Sequence, residues 1–162
     1  MTALTLTPRG LRFGQAILPC AIGRGGIRAD KAEGDRATPR GAHRIMACLY
    51  RPDRLSQPCA WAWPIRPGDL WSDDPGDAAY NQLVRTPYPR SHEALRRPDP
   101  LYDLILITDW NWPIAIPGKG SAIFIHQWRK PRHPTEGCIA LRRDHLHWLT
   151  ARIAPGTPLI VP

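Results

Sequence analysis

The sequence predicts a mainly β fold with one or two short α-helices, and three features predict it. Nineteen prolines and 13 glycines in 162 residues punctuate the chain too often for long helices, because proline lacks the amide donor and glycine loosens the backbone. Apolar residues come in short runs bounded by turn formers, as in Trp61–Ile65, Leu101–Thr108 and Ser121–Ile125, which suits strands. Helical spacing shows in only two places, Ser91–Arg97 and the stretch after Cys138. A chain of this length is expected to form one domain, residues 1–162, with its own core.

In chain order, Leu11–Ile22 alternates imperfectly and predicts one or two strands, followed by a flexible turn at Gly23–Ile27. Asp30–Asp35 is charged and expected at the surface, and Thr38-Pro39-Arg40-Gly41 reads as a tight turn. His43–Arg51 is a strand, the loop Pro52–Pro58 follows, and Trp61–Ile65 alternates large and small residues as a half-buried strand does. Asp69–Asp77 is a turn-rich acidic loop in which Asp73 and Asp74 are structural before they are substrate-positioning. Tyr80–Val84 and the proline-rich Thr86–Arg90 lead to Ser91–Arg97, a short helix capped by Ser91, with His92 on its polar side. Leu101–Thr108 is the most apolar β-prone run and is expected at the centre of a sheet. Trp110 and Trp112 in the next loop either line a cleft or cover the core. Ser121–Ile125 is a buried strand ending at His126, residues 139–153 carry Leu141, Leu146, Leu149 and Ile153 near one helical face, and Leu159–Val161 closes the fold.

The net charge of +8 and pI near 9.9 imply attraction to an anionic partner: nucleic acid, a membrane surface or a carboxylate-rich polymer. The cations are scattered and mostly arginine, without the run that marks a nucleic-acid arm. Cysteines at 20, 48, 59 and 138 include no C-x-x-C pair, so no metal site is expected. Cys48 and Cys59 suit either a small disulfide loop or two free thiols. No apolar run approaches the roughly 20 residues of a spanning helix, and Met1–Gly23 reads as early strands rather than as a cleavable leader.

The chemistry is concentrated between Lys119 and Leu141. Cysteine is the strongest common nucleophile, but only as a thiolate, so Cys138 needs a proton acceptor, and His126 is the best candidate in the chain. Gly137 permits a tight turn that leaves the amides of Gly137 and Cys138 open as an oxyanion hole. A helix beginning after Cys138 would also favour the thiolate through its dipole. One cysteine and one histidine are by themselves more often core residues than a catalytic pair.

The segment HQWRKPRHPTEGCIAL resembles the signature of the L,D-transpeptidase catalytic domain, the YkuD family, in which a histidine is followed by Ser/Thr-x-Gly-Cys-Ile/Val. The upstream segment Gly23–Ile45, with GDRATPRG, is similar to the family's first motif region. Glu136 stands where many members have a second histidine, and Ala140 where many have Arg or Asn, which places the chain in a divergent branch. The resemblance implies a β-sandwich or barrel-like domain that forms peptidoglycan cross-links (3-3 or 1-3) through a cysteine acyl-enzyme. The alternatives are an L,D-carboxypeptidase and a non-catalytic peptidoglycan-binding domain. It implies Cys138 as nucleophile and His126 as base, oriented by a backbone carbonyl whose nearest counterpart is Gln127. Arg40, Arg129, Thr135 and Glu136 are the substrate-binding candidates. It further implies no cofactor, stem peptides rather than nucleic acid as partners, a monomer, and a place in the periplasm or cell envelope.

Overall fold

A computed structural model describes residues 1–162. Six short strands come first: β1 (Leu4–Thr7), β2 (Gly10–Phe13), β3 (Ala16–Leu18), β4 (Cys20–Ala21), β5 (Ile27–Arg28) and β6 (Thr38–Pro39). The longest strand, β7 (Gly41–Tyr50), precedes β8 (Ala62–Pro64), β9 (Asp69–Ser72), β10 (Leu83–Arg85) and β11 (His92–Ala94). The chain continues through β12 (Leu104–Thr108), β13 (Phe124–Gln127) and β14 (Ile139–Leu141), then helix α1 (Arg143–Thr150) and β15 (Pro158–Val161). The fold is mainly β with one helix, and no helix is long and apolar enough to cross a membrane.

The main sheet runs β3-β2-β1-β15-β7-β12-β13-β14-β4, with β8 beside β7. Its outermost strands, β3 and β4, are consecutive in the chain and separated only by Pro19. The sheet therefore nearly closes on itself, which removes most of the unpaired edge that an open sheet exposes. A three-stranded sheet, β10-β9-β11, packs on one side, and β5 pairs in parallel with β6.

All five residues of β12 are buried, as its continuous apolar run predicts. Side chains alternate along a strand, so Leu104 and Leu106 enter one core while Ile105 and Ile107 enter another. The first core holds β1, β2, β15 and the α1 face of Leu146 and Leu149. The second lies under the three-stranded sheet and contains Trp71, Tyr102, Phe124 and Cys138. On β13, Ile125 faces the first core and Phe124 the second, so His126 also faces the second side, where the cleft opens.

Several expectations are corrected. Ser91–Arg97 is not a helix: His92–Ala94 pairs with β9, placing Glu93 opposite Trp71. Seven residues make a marginal helix, and the sheet satisfies the same backbone groups over a long-range partner. The helix after Cys138 starts late, because Ile139–Leu141 pairs in parallel with β13 before α1 begins at Arg143. Asp69–Ser72 is strand rather than loop, and Leu11–Ile22 holds parts of three strands. Thr38 and Pro39 are extended in β6 instead of turning. Lys31, within the segment expected at the surface, is buried.

Candidate active site

β13 delivers His126 into the cleft with only 5% of its surface exposed. Its Nδ1 lies 2.7 Å from the Gln127 carbonyl. A carbonyl only accepts, so Nδ1 carries the proton and Nε2 keeps the lone pair. Burial pulls the imidazole pKa down to about 4, against the upward pull of the Gln127 carbonyl. The ring is neutral at ordinary pH and able to take a proton.

Cys138 sits immediately before β14, buried in the second core. Its Sγ donates to the Ala122 carbonyl at 3.0 Å and accepts from the Phe124 amide at 3.4 Å. Burial pushes the thiol pKa up to about 12, with Glu93 adding to the rise. The three residues of β14 and Arg142 separate Cys138 from α1, so the anticipated helix-dipole contribution is not available to the thiolate. The sulfur makes no hydrogen bond to His126 in this arrangement. The two side chains are nonetheless diagonal neighbours on one face, because His126 is in register with Ala140 on the parallel strand and Cys138 is two residues earlier. Ala140, opposite His126, also lines the cleft.

The loop before Cys138 is locked by Thr38 and Thr135. The Thr38 hydroxyl accepts from the Gly23 amide at 2.9 Å and donates to the Gly137 carbonyl at 2.8 Å. Thr135 Oγ1 donates to the Cys138 carbonyl at 2.6 Å and accepts from the Gly137 amide at 3.1 Å. The expectation of an open Gly137 amide is thus corrected: that N–H is held by Thr135, while the Cys138 amide has no partner within the protein. Gly137 has φ 141°, and a Cβ there would stand 2.9 Å from the Ala37 carbonyl oxygen. Gly23 is equally constrained, its would-be Cβ lying 2.4 Å from the Arg36 carbonyl oxygen. Both glycines allow three backbone segments to converge.

The family described as L,D-transpeptidase catalytic domain, YkuD, matches residues 7–161. The chain belongs to this family. Among solved structures, an L,D-transpeptidase from Mycobacterium smegmatis is similar at 14% identity and a TM-score of 0.46, over 99% of this chain and 58% of the other. The chain therefore spans somewhat more than half the length of that protein. No curated protein matches.

The cleft encloses about 540 Å³ and contains His126 and Cys138. Arg129, Thr135 and Glu136 line it, whereas Arg40 lies outside, exposed beyond β6. Cations at the cleft that the sequence left unassigned are Arg24, Lys31, Arg36 and Arg97. Lys31 is held by the Asp35 carboxylate at 2.6 Å, and Asp35 also accepts from the amides of Ala32 and Ala37. These contacts hold the Asp35 carboxyl below its usual range despite an opposing burial effect. Glu136 pairs with Arg36 at 3.1 Å on the exposed rim.

Asp73 reaches the cleft, and its buried Oδ1 has no partner, whereas Asp74 caps a turn and faces Arg90. His92 is exposed against Tyr88, outside the cleft. Trp110 packs on His43 and Trp112 on Trp71, so both serve packing. Cys48 and Cys59 are free thiols in contact with each other. Tyr102, Glu93 and Arg97 escaped the sequence reading. Tyr102 lies within the apolar run Leu101–Thr108, and nothing local to it marks its tie to Glu93.

Proposed function

We propose that this domain is a peptidoglycan L,D-transpeptidase that works through a cysteine acyl-enzyme. The observation that carries the reading is the placement of Cys138 and His126 on one face of two adjacent strands at the cleft, with the His126 tautomer fixed by the Gln127 carbonyl. A rotation of the Cys138 side chain exchanges its contact with Ala122 for one with His126 Nε2. The thiol proton passes to Nε2, and the thiolate attacks the carbonyl carbon of the amide between the L-centre and D-residue of a donor stem peptide. The Cys138 amide is the donor free to stabilise the oxyanion, and Gly137 joins it once released from Thr135. Collapse breaks the C–N bond, and the imidazolium protonates the departing amine.

The amine of an acceptor stem peptide then attacks the thioester carbon, its proton goes to His126, and the C–S bond breaks to restore the thiol. At rest burial holds both groups neutral, the thiol raised and the imidazole lowered, so the proton leaves Cys138 in concert with attack on the substrate carbonyl rather than to form a resting ion pair. Arg129, Arg24 and Arg36 all line the cleft, which supports a role for them in gripping stem-peptide carboxylates. The linkage is 3-3 or 1-3. The domain acts as a monomer on stem peptides in the cell envelope.

The test is mass spectrometry of a disaccharide-tetrapeptide incubated with the protein or with Cys138→Ala. A dimer that has lost one residue, absent with the variant, is the expected product, and its fragmentation reads the linkage. Trimmed monomer without dimer would make the domain an L,D-carboxypeptidase. No change with either protein would overturn catalysis on this substrate.

A further inference from the structure

The Gln127 carbonyl decides which nitrogen of His126 carries the proton, but one hydrogen bond does not fix the tilt of the ring, whose terminal torsion has a broad well. A second constraint comes from Tyr102, just before β12. Its ring meets His126 edge to face, with centroids 5.3 Å apart and planes at 76°. It also meets Phe124 at 6.0 Å and 71°, and the Arg97 guanidinium carbon lies 5.3 Å from the Tyr102 centroid. The Tyr102 hydroxyl donates to Glu93 Oε2 at 2.5 Å. Glu93 is set by the β9–β11 pairing, and Arg97 is held by Asp99 at 2.6 Å. Tyr102 is thus pinned from three directions, and it is 7% exposed.

We propose that Tyr102 is a positioning residue: clamped by Glu93 and Arg97, it holds the His126 imidazole at the tilt from which Nε2 reaches the Cys138 sulfur. This rests on the proposed proton exchange between Cys138 and His126. The charged and titratable groups around His126 are Arg97 and Asp99 beyond the Tyr102 ring, Glu93 from the three-stranded sheet, Arg129 on the following loop, and Cys138 beside β14. Aromatic pairs of this geometry attract beyond what burial alone supplies, enough to favour one ring orientation several-fold.

The test reads Cys138 alone, without stem peptide. The rate of its alkylation by iodoacetamide is followed against pH by peptide mass spectrometry, because only the thiolate reacts. Wild type is compared with His126→Ala, Tyr102→Leu, Tyr102→Phe and Glu93→Gln, with thermal midpoints measured in parallel. Tyr102→Leu is expected to slow neutral-pH alkylation roughly tenfold, a part of what general-base assistance supplies, and to move the acid limb toward that of His126→Ala. Tyr102→Phe, which keeps the ring but cuts its tie to Glu93, is expected to slow the reaction about threefold by the same route. Glu93→Gln keeps an acceptor for the Tyr102 hydroxyl and is expected to keep the wild-type acid limb, while loss of the charge that raises the Cys138 pKa moves the thiolate limb to lower pH.

A lower midpoint with an unmoved pH profile in Tyr102→Leu would make the residue packing alone and overturn the inference. If that variant does not fold, an unmoved profile in Tyr102→Phe has the same force. Coincident wild-type and His126→Ala profiles would instead overturn the Cys138–His126 pairing, and the role of Tyr102 with it.

Discussion

The Thr38 hydroxyl donates to the Gly137 carbonyl at 2.8 Å, across 99 positions of sequence, and Thr38 is 1% exposed. One side chain thereby ties the N-terminal motif region to the turn that presents Cys138. Thr38→Val keeps the shape and leaves the Gly23 amide and the Gly137 carbonyl unpaired. The expected loss is about 2 kcal/mol in urea unfolding, with slower Cys138 alkylation. Thr38→Ser, which keeps the hydroxyl, is expected to retain most of both.

The Lys31–Asp35 pair is buried, with side-chain exposures of 3% and 13%. Removing one member strands the other. Asp35→Asn is expected to cost about 3 kcal/mol, measured by chemical denaturation, because Lys31 loses its counter-ion and the Ala32 and Ala37 amides lose a charged acceptor.

The pH dependence of stability has a sign fixed by His126. Its folded pKa, about 4, lies below the ordinary 6.5, so the unfolded chain binds more protons between those values. Stability is fully present above the ordinary pKa and falls as pH drops through this window. The contribution is on the order of 3 kcal/mol. Asp35, also depressed, adds further loss at more acid pH. Urea midpoints of wild type and His126→Gln against pH check this: the variant is expected to lack the upper part of the decline.

Glu136 and Arg36 pair on the rim with side-chain exposures of 72% and 59%. Glu136→Gln is expected to change stability by less than about 0.5 kcal/mol and to leave Cys138 alkylation untouched. A change in KM for the stem peptide with unchanged alkylation would locate Glu136 in substrate binding.

What could be read from the sequence follows the range of the interactions involved. Cys138, His126 and Gly137 stand in a local motif, and the Gln127 carbonyl is one peptide from the ring it orients. The buried strand Leu104–Thr108 was visible because both its faces are apolar. Ser91–Arg97 misled because its strand partner, Trp71 on β9, lies outside any local window. Ile139–Leu141 misled because a short buried run fits a strand and a helix equally well. The Glu93–Tyr102 contact exists only once the three-stranded sheet has docked, so neither residue carries a local sign of it. Arg40 adjoins the motif in sequence, yet the backbone turns it outward and brings Arg24 and Arg36 to the cleft instead.

The near-closure of the sheet through Pro19 makes the strand that follows Cys138 a late product of assembly. β14 is flanked by β4 from the beginning of the chain, while β1 lies beside β15 from its end. The first seam joins residues about 120 positions apart and the second about 155 apart, which predicts the slow, millisecond-to-second folding of topologies rich in distant contacts. The cleft that holds Cys138 and His126 is therefore completed late in folding. A proteolytic cut within the first four strands would peel the flank from β14 and silence Cys138 without touching any residue of the cleft.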